Sequence, residues 1–403
     1  MKQQIQENKI QWKEVLLGDI CEIVSGSTPS TFKKEYWDGN INWITPAELI
    51  DGNNGYYNNT DRKITEAGLS SCSSHIFPKG TVMLTTRAPI GKVAIAGIEM
   101  CSNQGFKNFI PSKNISSEYL YYWLRSKKEY LNSLGVGATF KELSKNMVSK
   151  IKVSFPFRHG QPDLETQKEI ASILEKAEKQ KEIAKRTFEL LDECLKSKFN
   201  EMFGDPILNE KKWSQDTLDN TSEKITDGEH ITPPLKDSGI PYISAKNVND
   251  KIDFDDVKYV DEETYKRITK RCLPDFGDIL ITCVGTIGRV KRVDIREKFV
   301  FARSVALIKP KNSDFNSVFL ESMIRVPSVK RYMIGNTNEA TVKGLYLRQI
   351  KKLVLIKPPI EFQNKFAVIA ENIDRMKENI RETKKMTEEL FGSLIDKAFR
   401  GEL

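Results

Sequence analysis

Two strings in this chain come near the turn with which an amino-methyltransferase holds a flipped base. That turn needs Asp, Asn or Ser, then two prolines, then an aromatic ring, together with a Gly-rich cofactor turn. Thr232-Pro233-Pro234-Leu235 and Lys357-Pro358-Pro359-Ile360 have the prolines but neither the lead nor the ring. Gly91-Lys92 is followed by Val93, so the phosphate-cradling loop of a P-loop ATPase is not formed. Pro274-Asp275 could open a metal-dependent nuclease motif, but no acidic-x-Lys follows on a nearby strand, and it reads as a turn before a strand. His75, His159 and His230 sit in unrelated contexts, and the six cysteines form no C-x-x-C pair, which leaves no zinc site and no catalytic base to name. No catalytic or metal residue is assigned.

The chemistry that remains is hydrogen bonding from polar loops, the kind that meets phosphates and reads base edges. The candidates lie at recurring places in the sequence. In the first half they are Ser25, Ser27, Thr28, Thr86, Arg87, Asn103, Gln104, Lys107, Thr139 and Lys141. In the second half they are His230, Lys246, Asn247, Arg289, Arg303, Ser304, Thr341 and Lys343. Each is also compatible with an ordinary solvated loop. Gly91 and Gly288 suit tight turns better than a close DNA approach, and Phe106 suits a core. Lys plus Arg outnumber Asp plus Glu by 63 to 55, a formal charge of +8 that favours a polyanionic partner without identifying one.

The elements that must carry these loops are repeated. VMLTTRAPIGKV (82–93) matches ILITCVGTIGRV (279–290) at a constant offset of 197, with Gly80 and Gly277 keeping the same spacing. In the same order, the segment opening at Trp12 answers to that at Trp213, INWITPAEL (41–49) to IPYISAKNV (240–248), and 135–156 to 335–359. A glutamine follows near the start of each succeeding charged stretch, in LETQKEIASIL (164–174) and IEFQNKFAVIA (360–370). The first part of each half mixes β-rich runs with Gly, Asn, Pro and Ser punctuation, and the rest is helical. Chain length allows two or more domains, each with its own core.

Both helical segments carry an apolar stripe with steps of three and four. In 163–203 it contains Ile170, Leu174, Phe188, Leu191 and Leu195, and in the last segment Ile369, Ile373, Ile380, Leu390 and Leu394. Such a stripe must bury itself, and each helix is the other's natural partner; the alternative is that each packs separately on its own domain. About 38 residues at about 1.5 Å each make roughly 57 Å, longer than a domain of this size is wide, which favours a spacer. The N-terminal residues have no apolar signal core and no 18-residue apolar run occurs, so a cytoplasmic protein with reduced thiols and no membrane contact is expected.

This layout resembles the specificity subunit of Type I restriction–modification systems, over essentially the whole chain. The resemblance rests on the ordered set: openings Trp12–Leu17 and Trp213–Leu218, the loop Ser25–Pro29, the runs Thr85–Gly91 and Thr282–Gly288, the exits Phe155-Pro156 and Pro358-Pro359, and the helix endings LKSKFNEMFGD (195–205) and SLIDKAFRGEL (393–403). One departure is TDGEHITPP (226–234), which replaces the SGSTP turn in the second half.

The resemblance implies an α+β chain of two similar mixed α/β target recognition domains, separated by two long antiparallel coiled-coil helices, with a pseudo-two-fold internal repeat. The boundaries implied are a first recognition domain at 1–158, a central helix at 159–205, a second recognition domain at 206–359 and a C-terminal helix at 360–403. It also implies a non-catalytic subunit that reads two half-sites around a fixed gap in double-stranded DNA. Two adenine-N6 methyltransferase subunits and restriction (translocase) subunits would be the partners. S-adenosylmethionine, ATP and Mg would sit on those partners, with no cofactor on this chain. The outer, Lys- and Glu-rich helix faces could dock the methyltransferase. The competing reading is a coiled-coil scaffold that joins two protein-binding domains without touching DNA.

Overall fold

In a computed structural model of the chain, residues 10–50, 55–137, 141–335 and 344–402 are described. The chain divides into two compact units, residues 1–184 with 383–403, and residues 185–382.

In the first unit the central sheet has the order Cys21–Ser25, Phe106–Pro111, Val82–Thr86, Ile90–Ala96, Tyr56–Tyr57, antiparallel except for the last pairing. Its middle strand Val82–Thr86 is buried throughout. Alternation along that strand feeds two cores. Val82 and Leu84 join Ile95, Phe109 and Tyr119 on one face, while Met83 joins Ala94 and Phe106 on the other. A second sheet runs Arg62–Ile64, Trp37–Ile44, Cys101–Ser102, and a third pairs Gln11–Leu16 with Lys152–Arg158 and then Gln161–Pro162.

The second unit has the same plan from different residues. Ser222–Asp227, Val305–Pro310, Ile279–Thr282 and Val290–Arg292 form its central sheet. Lys258–Val260, Ile240–Ile243 and Val300–Phe301 form the second, and Gln215–Thr217 pairs with Val354–Ile356. Ile279 and Ile281 face one core and Leu280 the other, as in the first unit. The sequence repeat is therefore a repeat of fold.

Each unit has a short helix over its main core, Ser117–Ser126 and Ser317–Arg325, capped by the side chains of Ser116 and Asn316. The backbone N–H of each cap residue donates to a glutamine, Ser116 to Gln167 and Asn316 to Gln363, both at 2.9 Å. Each glutamine returns its amide to a nearby carbonyl, Gln167 to Asn114 at 3.1 Å and Gln363 to Asp314 at 3.0 Å. Both glutamines are fully buried. The repeated glutamine thus locks the start of each long helix to its own domain.

Those long helices are Leu164–Phe203 and Ile360–Arg400. Each stops at a glycine in the left-handed region, Gly204 (φ +74°) and Gly401 (φ +77°), where a side chain would be strained. In the second unit Arg381 and Lys377 lie over the ring of Phe188, Lys377 pairs with Asp192, and Phe366 meets Phe199 at 5.3 Å between ring centroids. In the first, Lys181 lies 4.9 Å from the Phe391 ring. Rising numbers in one helix meet falling numbers in the other within the second unit, so the helices run antiparallel there.

In the first stripe Ile170 and Leu174 are buried, and Phe188, Leu191 and Leu195 are half-buried. Ile170 and Leu174 enter the first unit's core beside Ala398, Phe399 and Leu394, so that core takes in helix and domain together. In the second stripe Ile373 is buried, and Ile369, Ile380 and Leu394 are half-buried. Leu390 is the correction: it is 56% exposed, and Phe391 takes the inward place. Met376, which also keeps the apolar period, is likewise turned outward, while Lys377 is 7% exposed. A lysine whose stem lies on Phe188 and whose charge meets Asp192 fills a seam position that hydrophobicity alone assigns to its neighbour.

Replacing either buried glutamine by alanine leaves a buried N–H without its acceptor. Gln167→Ala and Gln363→Ala should each cost about 1–3 kcal/mol of stability in urea denaturation. The loss at Gln363 should be the larger, because its amide also donates to Pro358 O at 2.8 Å.

Candidate nucleic-acid interface

At one end of the first unit's central sheet, Cys21–Ser25 and Val82–Thr86 finish while Ile90–Ala96 and Phe106–Pro111 begin, with Ser25 opposite Lys107 and Thr86 opposite Ile90. The loops leaving this end are tied together by backbone bonds. Ser27 N–H donates to Ser102 O at 2.9 Å, Thr86 N–H to Gly105 O at 2.8 Å, and Leu143 N–H to Thr86 O at 3.1 Å. Gly26 lies so close to the carbonyls of Ser102 and Asn103 that a Cβ would fall 2.1 and 2.2 Å from them. The Thr28 hydroxyl donates to Gln104. Two indoles hold the loop from below, Trp43 donating to Ser27 O at 2.9 Å and Trp37 to Ser30 O at 3.1 Å. The Arg62 guanidinium stacks 3.7 Å from the centroid of Trp37.

The second unit builds the same frame. Gly228 N–H donates to Val305 O at 3.1 Å, Glu229 N–H to Phe301 O at 2.8 Å, Cys283 N–H to Ser304 O at 2.7 Å and Leu345 N–H to Cys283 O at 2.8 Å. Gly228 packs on the carbonyls of Phe301 and Ala302, where a Cβ would fall 2.1 and 2.4 Å away. The turn after each central strand is held alike: Thr85 accepts from Lys92 N–H and Thr282 from Arg289 N–H, both at 2.9 Å. Gly91 and Gly288 in those turns have positive φ, as their place in a tight turn requires.

The side chains on the frame differ. Where the first unit has Ser27 and Thr28, the second has Glu229 and His230 beside Asp227. His230 lies 2.9 Å and Arg271 3.0 Å from the Asp227 carboxylate, and Arg267 lies 3.3 Å from Glu229. Burial alone would raise Asp227, but hydrogen bonds from His230 and Arg271 outweigh it and hold the carboxyl below its ordinary value.

Most of the residues chosen from sequence converge on these two frames. Gln104, Lys141, His230, Lys246 and Arg303 are exposed, and Ser25, Ser27, Thr28, Arg87, Asn103, Arg289 and Ser304 are partly so. Lys246 pairs with Asp256 at 3.0 Å, and Arg289 with the Asn249 side chain. Three choices are corrected by burial. Thr86 is fully buried and gives its hydroxyl to Gly105 O; Asn247, 3% exposed, caps the turn that begins at Ser244. Lys107 is 6% exposed beside Glu142, with its pKa pulled down by burial against that carboxylate's opposing effect. Thr139, Thr341 and Lys343 lie outside the described residues. Phe106 is core, as expected.

The family model for the Type I restriction modification DNA specificity domain matches the chain twice, over residues 9–193 and 222–388. The chain belongs to this family. The chain is 30% identical to the Type I restriction enzyme MjaIX specificity subunit of Methanocaldococcus jannaschii, over 95% of its own length and 92% of that protein's. It is 24% identical to the EcoBI specificity subunit of Escherichia coli, over 98% and 79%. Among solved structures, the Type I restriction–modification S subunit from M. genitalium has the same fold, with a TM-score of 0.59, 15% identity and 97% coverage of both chains. A chain from a structure of type I R-M complex assembly gives 0.60 at 16% identity, covering 98% of this chain and all of that one.

Within this specificity-domain fold, several frame residues escaped sequence reading. Arg267 and Arg271 come from the helix Glu262–Thr269 and the turn after it, and Arg62 from the short strand Arg62–Ile64. None sits at a repeat anchor. The only available signal was an Arg within reach of paired tryptophans or acids, which needs the fold to be seen.

Asp227 ties His230 and Arg271 to the loop only while ionised. Its folded pKa lies below the unfolded value of about 3.9, so its contribution is present above that value and is lost as pH falls through the folded one. Acid unfolding of the second unit, followed between pH 5 and 2, should therefore be less steep in Asp227→Asn than in the unchanged protein.

Proposed function

We propose that this chain is the non-catalytic, DNA-reading subunit of a Type I restriction–modification complex, each unit reading one half-site of a split target. One observation carries the reading: the same hydrogen-bonded loop frame occurs in both units beneath different polar side chains. A constant backbone frame supplies the same approach to DNA twice. Ser27, Thr28 and Gln104 on one frame, and His230, Arg289 and Arg303 on the other, are the groups offered to bases and phosphates. Adenine-N6 methyltransferase subunits, with a restriction subunit in the full complex, bring the S-adenosylmethionine, ATP and Mg chemistry. This chain positions them.

The first test is the methylome of cells with and without the gene. Loss of N6-methyladenine at one split motif establishes the role and reveals the target. Replacing residues 1–156 by the matching segment of a relative should then change one half-site and leave the other. An unchanged methylome in cells that make this protein and its methyltransferase would overturn the reading in favour of a protein scaffold. In the purified complex, DNA affinity should fall steeply with salt, with a log–log slope of about −0.9 per phosphate contacted.

A further inference from the structure

The indoles that hold the first unit's loop also carry a charge. Trp37 and Trp43 meet edge to face, with ring centroids 5.1 Å apart and planes at 82°. Each gives its N–H to the loop, Trp37 to Ser30 O and Trp43 to Ser27 O. Arg62 stands opposite Trp43 on the neighbouring strand, and its guanidinium lies 3.7 Å from the Trp37 centroid and 5.4 Å from that of Trp43. Arg62 is exposed. Among the described residues no carboxylate pairs with its guanidinium and no acceptor takes a hydrogen bond from it.

The matching position in the second unit is treated differently. Lys258 stands opposite Tyr242 as Arg62 does opposite Trp43, each pair joining the corresponding two strands of the second sheet. Lys258 is exposed too, but its ammonium meets Asp237 at 2.7 Å, and that hydrogen bond holds the Asp237 carboxyl below its ordinary range. One unit neutralises its cation internally and the other does not. A guanidinium stacked on an indole has little freedom left to lose on binding, and it stays charged at any ordinary pH. Trp37 covers one of its flat faces, so what it has to offer is the fork of N–H donors along its edge.

We propose that Arg62 is a phosphate clamp for the first half-site: its N–H fork takes two oxygens of one DNA phosphate and so sets the register of the loop that carries Thr28. This deepens the reading of the chain as a DNA-recognition subunit and rests on it. Charge favours a phosphate over a base. The guanidinium has no counter-charge of its own, and Lys33 and Lys34, on the loop that Trp37 ties down, are exposed as well. A phosphate answers such charge in full, while base edges are neutral. The planar fork also matches two phosphate oxygens, the contact by which arginine orients a protein on the duplex. Its hold on Trp37 makes Arg62 a fixed point from which the loop's polar groups can be aimed.

The test uses the complex with its methyltransferase subunits and measures binding to duplexes across a range of salt. Arg62→Ala should lower affinity about tenfold and reduce the log–log salt slope by about 0.9, the counterions released by one phosphate. The weakening should be alike on target and unrelated duplexes, with the methylated motif unchanged, because a phosphate carries no sequence. A neutral methylphosphonate placed singly along the first half-site should, at one position, weaken the unchanged complex by a similar factor and leave Arg62→Ala indifferent. Arg62→Gln, which keeps a stem over Trp37 without the charge, should repeat the Arg62→Ala result and so separates lost charge from lost packing. Arg62→Lys, which keeps the charge and loses the fork, should keep the slope and recover part of the affinity. Removing Lys258 and Asp237 together, a pair already neutral, should leave the slope as it was.

Failure has distinguishable forms. If the unchanged complex binds target and unrelated duplexes alike, the recognition reading itself fails. If it prefers its target, but Arg62→Ala and Arg62→Gln keep the full salt slope and the full methylphosphonate response, the inference alone is overturned. Any affinity lost in that case comes from a slackened loop, which moves neither readout. The inference is overturned too if either variant relaxes the methylated motif at one base pair, the mark of a base reader.

Discussion

A helix of 40 residues with an apolar stripe cannot leave that stripe in water, and the rest of this molecule follows from where it is buried. Each unit's core takes in the start of one long helix and the finish of the other. In the first, Ile170 and Leu174 meet Ala398 and Phe399 around Tyr119, whose ring lies 5.4 Å from that of Phe399. In the second, Phe366 and Ala370 meet Phe199 and Phe203 around Phe319, with the Phe203 and Phe319 rings 4.7 Å apart. Neither core is complete without both segments. Removing a buried aromatic of this kind typically costs about 3–5 kcal/mol, a large share of a domain's net stability. The helices are therefore parts of the domains as much as connectors between them.

With the cores closed in this way, the loop frame can be indifferent to side chains. Its bonds run from backbone to backbone, so Thr86 or Cys283 may donate and Gly105 or Ser304 may accept without altering the geometry. The close approaches that do depend on residue type are made at Gly26 and Gly228, where a Cβ would collide with carbonyl oxygens. The polar side chains that the frame carries can vary. The outcome is a hydroxyl, amide and stacked-aromatic surface in one unit, and an Asp–His–Arg network in the other. Two readers with one architecture and different chemistry follow from that separation of roles.

Much of this was legible in the residues. The repeat was visible because anchors such as Thr85–Gly91 and Thr282–Gly288 carry turn chemistry that tolerates little change. The first helix seam was visible because its apolar period is broken only at Lys181 and Lys198. The second seam slipped at Leu390 because Thr383 and Thr387 interrupt the stripe, and Lys377 hides an inward position behind a charge that pairs with Asp192. Thr86, Asn247 and Lys107 were legible as polar loop residues. Nothing local says whether such a group faces solvent or satisfies the backbone beside it.

By itself, then, the sequence determined the duplication, the element types and the family. These depend on local periodicity, turn stereochemistry and composition, which act over a few residues. Tertiary structure alone decided which polar groups remain available, and that Arg62, Arg267 and Arg271 brace the loops. Those outcomes depend on contacts between segments tens of residues apart, such as Arg62 with Trp37 and Arg271 with Asp227. Burial is a property of the packed whole, and no single segment encodes it.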